Sequence, residues 1–156
     1  MKNNYLTKKQ INTYKHDGAI IVRNLFKPWI NSLQKGFEKV LNNPGPHARD
    51  NVAKDGKGRF FEDYCNWKRI PEFADCIEKS PGAKIVAEAT GSKSIQVFHD
   101  HIFVKEPGTT KPTPWHQDMP YYCVDGEDTG SYWIPLDPVS KKNTLQIILG
   151  SHKWPK

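Results

Sequence analysis

A chain of 156 residues with 37% hydrophobic and 12% aromatic content can fill one globular core and not two. A mean hydropathy of −0.72, with apolar runs no longer than Ala19-Ile20-Ile21-Val22 or Leu145-Gln146-Ile147-Ile148-Leu149, excludes a transmembrane helix, and Met1–Tyr5 lead into a polar helix without an apolar leader, so the expected compartment is the cytoplasm. The net charge of +6 is scattered, with no basic run beyond doublets such as Lys8-Lys9, which argues against nucleic acid as a partner, and the three cysteines, Cys65, Cys76 and Cys123, form no C-x-x-C pair and read as reduced thiols.

Thr7-Lys8-Lys9-Gln10 has the form of a capping box, and the helix it opens should end at Asp17-Gly18. A short β run is expected over Ala19–Arg23. Pro28 suits the first turn of a second helix, in which Ile30, Leu33, Phe37, Val40 and Leu41 recur at helical spacing. Asn42–Gly58, opening on Asn43-Pro44-Gly45-Pro46, reads as a long loop. Arg59–Trp67 should be extended, its aromatics Phe60, Phe61, Tyr64 and Trp67 supplying core area. A short helix is expected over Pro71–Lys79, and Ser80-Pro81 offers an N-cap and a first-turn proline for another that Gly91 should stop.

From Ser94 the pattern turns to strands: Ser94–Lys105, Trp115–Asp118, Ser131–Leu136 and Thr144–Leu149, separated by Pro/Gly/Asp turns. No internal repeat or low-complexity tract interrupts the chain. The expected class is α+β, with helices packed on a curved antiparallel sheet. It forms one domain over 1–156, in which 1–93 is mixed and mostly helical and 94–156 forms strands.

The chemistry concentrates in Thr113-Pro114-Trp115-His116-Gln117-Asp118. Strand residues two apart face the same way, so His116 and Asp118 can bring an imidazole nitrogen and a carboxylate oxygen to one point. Non-haem Fe(II) oxygenases bind iron through two histidines and one carboxylate on one face. The triplet supplies two of those three donors, although an H-x-D triplet by itself is more often a pair of surface polar residues.

The triplet stands in an ordered series. Val104-Lys105-Glu106-Pro107-Gly108-Thr109 precedes it, Tyr121, Gly126 and Trp133-Ile134-Pro135-Leu136-Asp137-Pro138 follow, and Gly150-Ser151-His152-Lys153-Trp154 closes the series. Over Phe98–Trp154 this series resembles the phytanoyl-CoA dioxygenase family, a branch of the Fe(II)/2-oxoglutarate oxygenases. The resemblance implies a double-stranded β-helix, a jelly-roll or cupin-like barrel with iron near its mouth, and hydroxylation of a small organic substrate with O₂ and 2-oxoglutarate. It implies His116 and Asp118 as iron ligands, and Trp133 and Gln117 as walls of the 2-oxoglutarate pocket. His101, on the same strand face as Phe103 and Lys105, falls where the family lines that pocket, and Lys105 joins it as a cosubstrate candidate. Tyr121 and Tyr122 are read as substrate-side walls or as ordinary core. Arg59 is the one candidate for a basic residue that the family contributes from upstream.

The family's third ligand, a histidine in a Gly-Asp…His segment, and the arginine that follows it have no counterpart. The last arginine is Arg69, and the only histidine after Asp118 is His152, read as a turn residue making a hydrogen bond. The expectation is an N-terminal portion of the enzyme with the barrel incomplete at its C-terminus, binding metal weakly, turning over negligibly, and prone to self-association through uncovered sheet edges. Two alternatives stay open: a non-catalytic half-fold remnant or binding module, and a cupin-type metal site using His99 and His101 with Glu106 nearby.

Overall fold

The computed structural model describes residues 4–51, 58–109, 112–124, 126 and 128–155. They fall into two compact units. One comprises residues 1–27, 81–96 and 116–156, and the other residues 28–80 and 97–115. Among the described residues no helix is long and apolar enough to cross a membrane.

The first unit is built on helix α1 (Lys8–Asp17) and helix α4 (Gly82–Thr90), which pack together. The capping box forms as expected, with Thr7 Oγ1 accepting the Gln10 N–H and the Gln10 side chain accepting the Thr7 N–H. Gly18 ends α1 in the left-handed region at φ 83°, which a residue without Cβ adopts at little cost. The Glu88 carboxylate on α4 accepts the N–H groups of Tyr5 and Leu6, tying down the approach to α1. Leu6, Ile85 and Ala89 are the buried core, with Ile11, Tyr14, Ile20, Val22 and Leu25 packed against it.

The β run expected at Ala19–Arg23 is corrected, since these residues join no sheet. Their alternation is nevertheless real. Ile20 and Val22 turn to the core while Ile21 is 75% exposed, so the period of two reports the side-chain faces of an extended segment without its ladder.

Lys27–Trp29 form a single 3₁₀ turn that leads into α2 (Ile30–Asn42) of the second unit, and Pro28 sits in that turn ahead of the helix. Helix α2 packs on α3 (Pro71–Lys79). Leu33, Gly36 and Val40 are its buried face. A Cβ on Gly36 would lie 2.7 Å from the Phe73 ring, so only glycine admits this approach. Among the described residues the sheet has three strands in the order β1 (Arg49–Asp50), β2 (Phe60–Tyr64), β3 (His101–Lys105), antiparallel throughout, with Phe60 opposite Lys105, Glu62 opposite Phe103 and Tyr64 opposite His101. Alternation buries Phe61 and Asp63 on one face and leaves Phe60, Glu62 and Tyr64 on the other. Strand β1 lies inside the loop expected over Asn42–Gly58, of which residues 52–57 are outside the described residues.

Two further readings are corrected. Helix α4 begins at Gly82 with Pro81 as its N-cap, because Ser80 is already used as the C-cap of α3 and its N–H donates to Cys76 O. Of the strands expected from Ser94 onward only His101–Lys105 forms. Trp115–Asp118, Ser131–Leu136 and Thr144–Leu149 carry no ladder among the described residues, so the sheet is small and open and not a barrel. A strand needs a second segment to exchange N–H and C=O bonds with, and a pattern within one segment cannot supply it. Apolar side chains in this stretch stay in solvent, with Leu145 at 52%, Ile147 at 50% and Leu149 at 64% exposure.

The thiols differ sharply. Cys65 and Cys123 are exposed, whereas Cys76 lies on the buried face of α3, where burial pushes its thiol up to about 11, with a hydrogen bond to Ser80 acting the other way. At pH 8 iodoacetamide should therefore modify Cys65 and Cys123 and spare Cys76 in the folded chain, counted by mass spectrometry. Because the unfolded thiol ionises near its ordinary value and the folded one only near 11, the stability this burial contributes is present below pH 9 and falls as pH rises from about 9 to 11. Rapid labelling of Cys76 at pH 8 would contradict this placement.

Candidate metal and cosubstrate residues

The segment ahead of His116 runs without ladder bonds, and Asp118 then turns into the helical region at φ −73°, ψ −39°, opening a 3₁₀ turn over Met119–Tyr121. The turn is closed by the Tyr121 N–H donating to Asp118 O at 2.9 Å and the Tyr122 N–H donating to Met119 O at 3.0 Å. His116 and Asp118 come together: His116 Nε2 lies 3.1 Å from Asp118 Oδ1. Both side chains reach solvent, at 39% and 55% exposure. The Tyr121 ring stands edge-on to the His116 imidazole, with centroids 6.2 Å apart.

Gln117, between them, faces elsewhere. Its Nε2 donates to the Ser151 carbonyl at 3.1 Å, pinning the His116–Asp118 segment to the 3₁₀ turn Ser151–Lys153. That turn is docked on α1 in turn: Gly150, left-handed at φ 81°, donates its N–H to Asp17 O at 2.8 Å, and His152 Nε2 lies 3.3 Å from Lys15 O. The His152 ring also fills the space beside Gly18, where a Cβ would run into its Nδ1. His152 thus satisfies a late carbonyl of α1, the hydrogen-bonded turn histidine that the sequence implies.

Tyr122 was not legible as anything more than a wall or core residue. In the structure its hydroxyl donates to Asp118 Oδ2 at 3.3 Å and also shares a hydrogen bond with Ser131. Burial raises the Tyr122 phenol above its ordinary value, the Ser131 contact opposes that rise, and the Asp118 charge and hydrogen bond add to it, so the hydroxyl keeps its proton. Trp133 follows Ser131 closely and is 37% exposed. Between them, Tyr132 anchors the segment by donating to Gly82 O at 2.8 Å and meeting Phe26 edge-on at 5.1 Å.

The other candidates belong to the second unit. His101 stacks on Tyr64, with centroids 3.9 Å apart and planes within 15°, and its Nε2 lies 3.5 Å from Glu62 Oε2. Lys105 Nζ donates to Thr113 Oγ1 at 2.8 Å and sits 4.7 Å over the Phe60 ring. His99 also faces Tyr64, while the Asp100 carboxylate between the two histidines accepts the N–H groups of Asn66 and Trp67. The Arg59 fork is closed bidentately on Asp50, at 2.6 and 3.1 Å. Among the described residues no three His, Cys, Asp or Glu side chains gather as a metal site. The two residues expected as metal ligands, His116 and Asp118, are brought together as a pair.

A family model described as "Phytanoyl-CoA dioxygenase (PhyH)" matches residues 14–156. The chain belongs to this family. It is 25% identical over 167 aligned residues to human "Phytanoyl-CoA dioxygenase, peroxisomal", an alignment that takes in 98% of this chain and 49% of the relative. The chain thus spans about half the length of that curated relative. No solved structure matches it.

Proposed function

We propose that this family member is an Fe(II)/2-oxoglutarate-dependent dioxygenase that hydroxylates a small organic substrate, with His116 and Asp118 as metal ligands. The single observation that carries the reading is the 3.1 Å approach of His116 Nε2 to Asp118 Oδ1, on a segment that lies within the residues the family model matches. An imidazole nitrogen and a carboxylate oxygen at that separation suit neighbouring positions around one first-row cation, and nitrogen with hard oxygen is a donor set that takes Fe(II). Bound there, iron with 2-oxoglutarate and O₂ would supply the oxidising chemistry for an unactivated C–H bond.

The chain's own residues hold and orient. Gln117 fixes the ligand segment on the Ser151 carbonyl, and Tyr121 screens one edge of the His116 ring. Trp133 and Gln117 in the first unit, and His101 and Lys105 in the second, are each offered as cosubstrate-binding candidates. Of these, Lys105 brings the one positive charge, suited to a carboxylate. A small-molecule partner is favoured over nucleic acid or membrane by the scattered basic residues. The free thiols fit a reducing compartment such as the cytoplasm. We further read residues 1–156 as one domain that forms the N-terminal portion of the enzyme, with little turnover by itself. The exposed Leu145, Ile147 and Leu149 support that reading as a face that further barrel strands, or a second copy, would cover.

Calorimetric titration with Mn(II), run beside a succinate-release assay, tests the proposal. One weak site per chain should disappear in Asp118→Ala, and succinate release should stay near background. Identical isotherms for the two chains would refute the ligand assignment.

A further inference from the structure

We propose that Tyr122 is a positioning residue for the ligand pair, its hydroxyl holding Asp118 Oδ2 so that Oδ1 stands beside His116 Nε2 as a donor. This rests on the reading of His116 and Asp118 as metal ligands. Its own support is the division of the Asp118 carboxylate: one oxygen lies 3.1 Å from His116 Nε2 and the other accepts the Tyr122 hydroxyl at 3.3 Å. The terminal torsion of an aspartate is soft, and a side chain 55% exposed is not fixed by packing. Contacts at its two oxygens are what orient it.

The backbone and a second segment place the tyrosine. The Met119–Tyr121 turn, begun by Asp118 and carrying Pro120, brings residue 122 back over residue 118. Ser131 then holds the same hydroxyl from a segment outside the turn. Groups that hydrogen-bond a ligating carboxylate fix its orientation, and their loss ordinarily weakens metal affinity by about 10- to 100-fold. A bond of 3.3 Å is longer than the usual hydroxyl contact, so the effect belongs at the lower end of that range.

Co(II) titration of the full 156-residue chain, followed by visible absorption, reads this directly. Tyr122→Phe should bind Co(II) about tenfold more weakly than the unsubstituted chain, with an altered cobalt band and an unchanged thermal melt. Tyr5→Phe, which removes a hydroxyl from an exposed tyrosine ahead of α1, should change neither. Unchanged affinity and band in Tyr122→Phe, with binding lost in His116→Ala, would overturn the positioning inference and leave the ligand pair standing. Equal binding by His116→Ala and the unsubstituted chain would overturn the ligand pair and the inference with it. If Tyr122→Phe fails to fold, Ser131→Ala carries the test, with about threefold weakening expected and no change counting against the inference.

Discussion

Asp63→Ala will lower the unfolding free energy of the chain by about 3 kcal/mol, read from the urea midpoint with the slope unchanged. Asp63 is fully buried on β2. Its Oδ2 accepts the Gly45 N–H at 2.7 Å, its Oδ1 accepts the Tyr64 N–H at 2.8 Å, and Arg69 Nη2 lies 3.6 Å from Oδ2. Asn66, also fully buried, extends the cluster: its Oδ1 accepts Arg69 Nε at 2.7 Å, and Arg69 reaches the Asn43 carbonyl at 2.9 Å. Alanine would strand two N–H donors and leave the Arg69 charge without its anion. Each buried orphan costs about 1–3 kcal/mol, and the sum is kept down because water can reach Arg69, which is 31% exposed. Asp63→Asn should cost about 2 kcal/mol, because one amide oxygen can serve only one of the two donors while its NH₂ faces the other. A midpoint unmoved by either change would mean that this cluster does not hold the Asn43–Gly45 segment to the sheet.

Asp63 also shows where the sequence stopped being informative. In Phe60-Phe61-Glu62-Asp63-Tyr64 the aromatics correctly announce an extended segment, but the buried face carries Phe61 together with a carboxylate, so hydropathy could not say which face was inward. Local signals were legible where local physics decides. The Thr7 capping box, the Gly18 and Gly91 stops and the bounds of α3 all rest on bonds that close within a few residues. The barrel strands were not, because a ladder is a property of two segments. Thr144–Leu149 has the apolar composition of a strand and carries no ladder among the described residues. The same division runs through the site. His116 and Asp118 could be paired from their spacing, since i and i+2 share a face, whereas Tyr122 on Asp118 depends on a 3₁₀ turn that no periodicity announces.

Asp118→Glu, the most conservative change in charge, should weaken Mn(II) or Co(II) binding by about 10- to 100-fold, equivalent to about 1.4–2.7 kcal/mol. One added methylene displaces the carboxylate by about 1.5 Å. That is half the His116–Asp118 separation of 3.1 Å, and the displaced oxygens leave both His116 Nε2 and the Tyr122 hydroxyl. Asp118→Asn keeps the side-chain length and one oxygen but loses the charge, so it separates geometry from electrostatics. If placement dominates, Asn should retain more affinity than Glu when its oxygen is turned toward His116, and Tyr122, as a hydroxyl donor, then meets an NH₂ that cannot accept from it. The glutamate variant therefore loses position at both oxygens, and the asparagine variant loses charge at one and a hydrogen bond at the other. Full affinity in Asp118→Glu would show that the 3.1 Å pairing is not what selects the cation, and that a flexible carboxylate anywhere near His116 would serve as well.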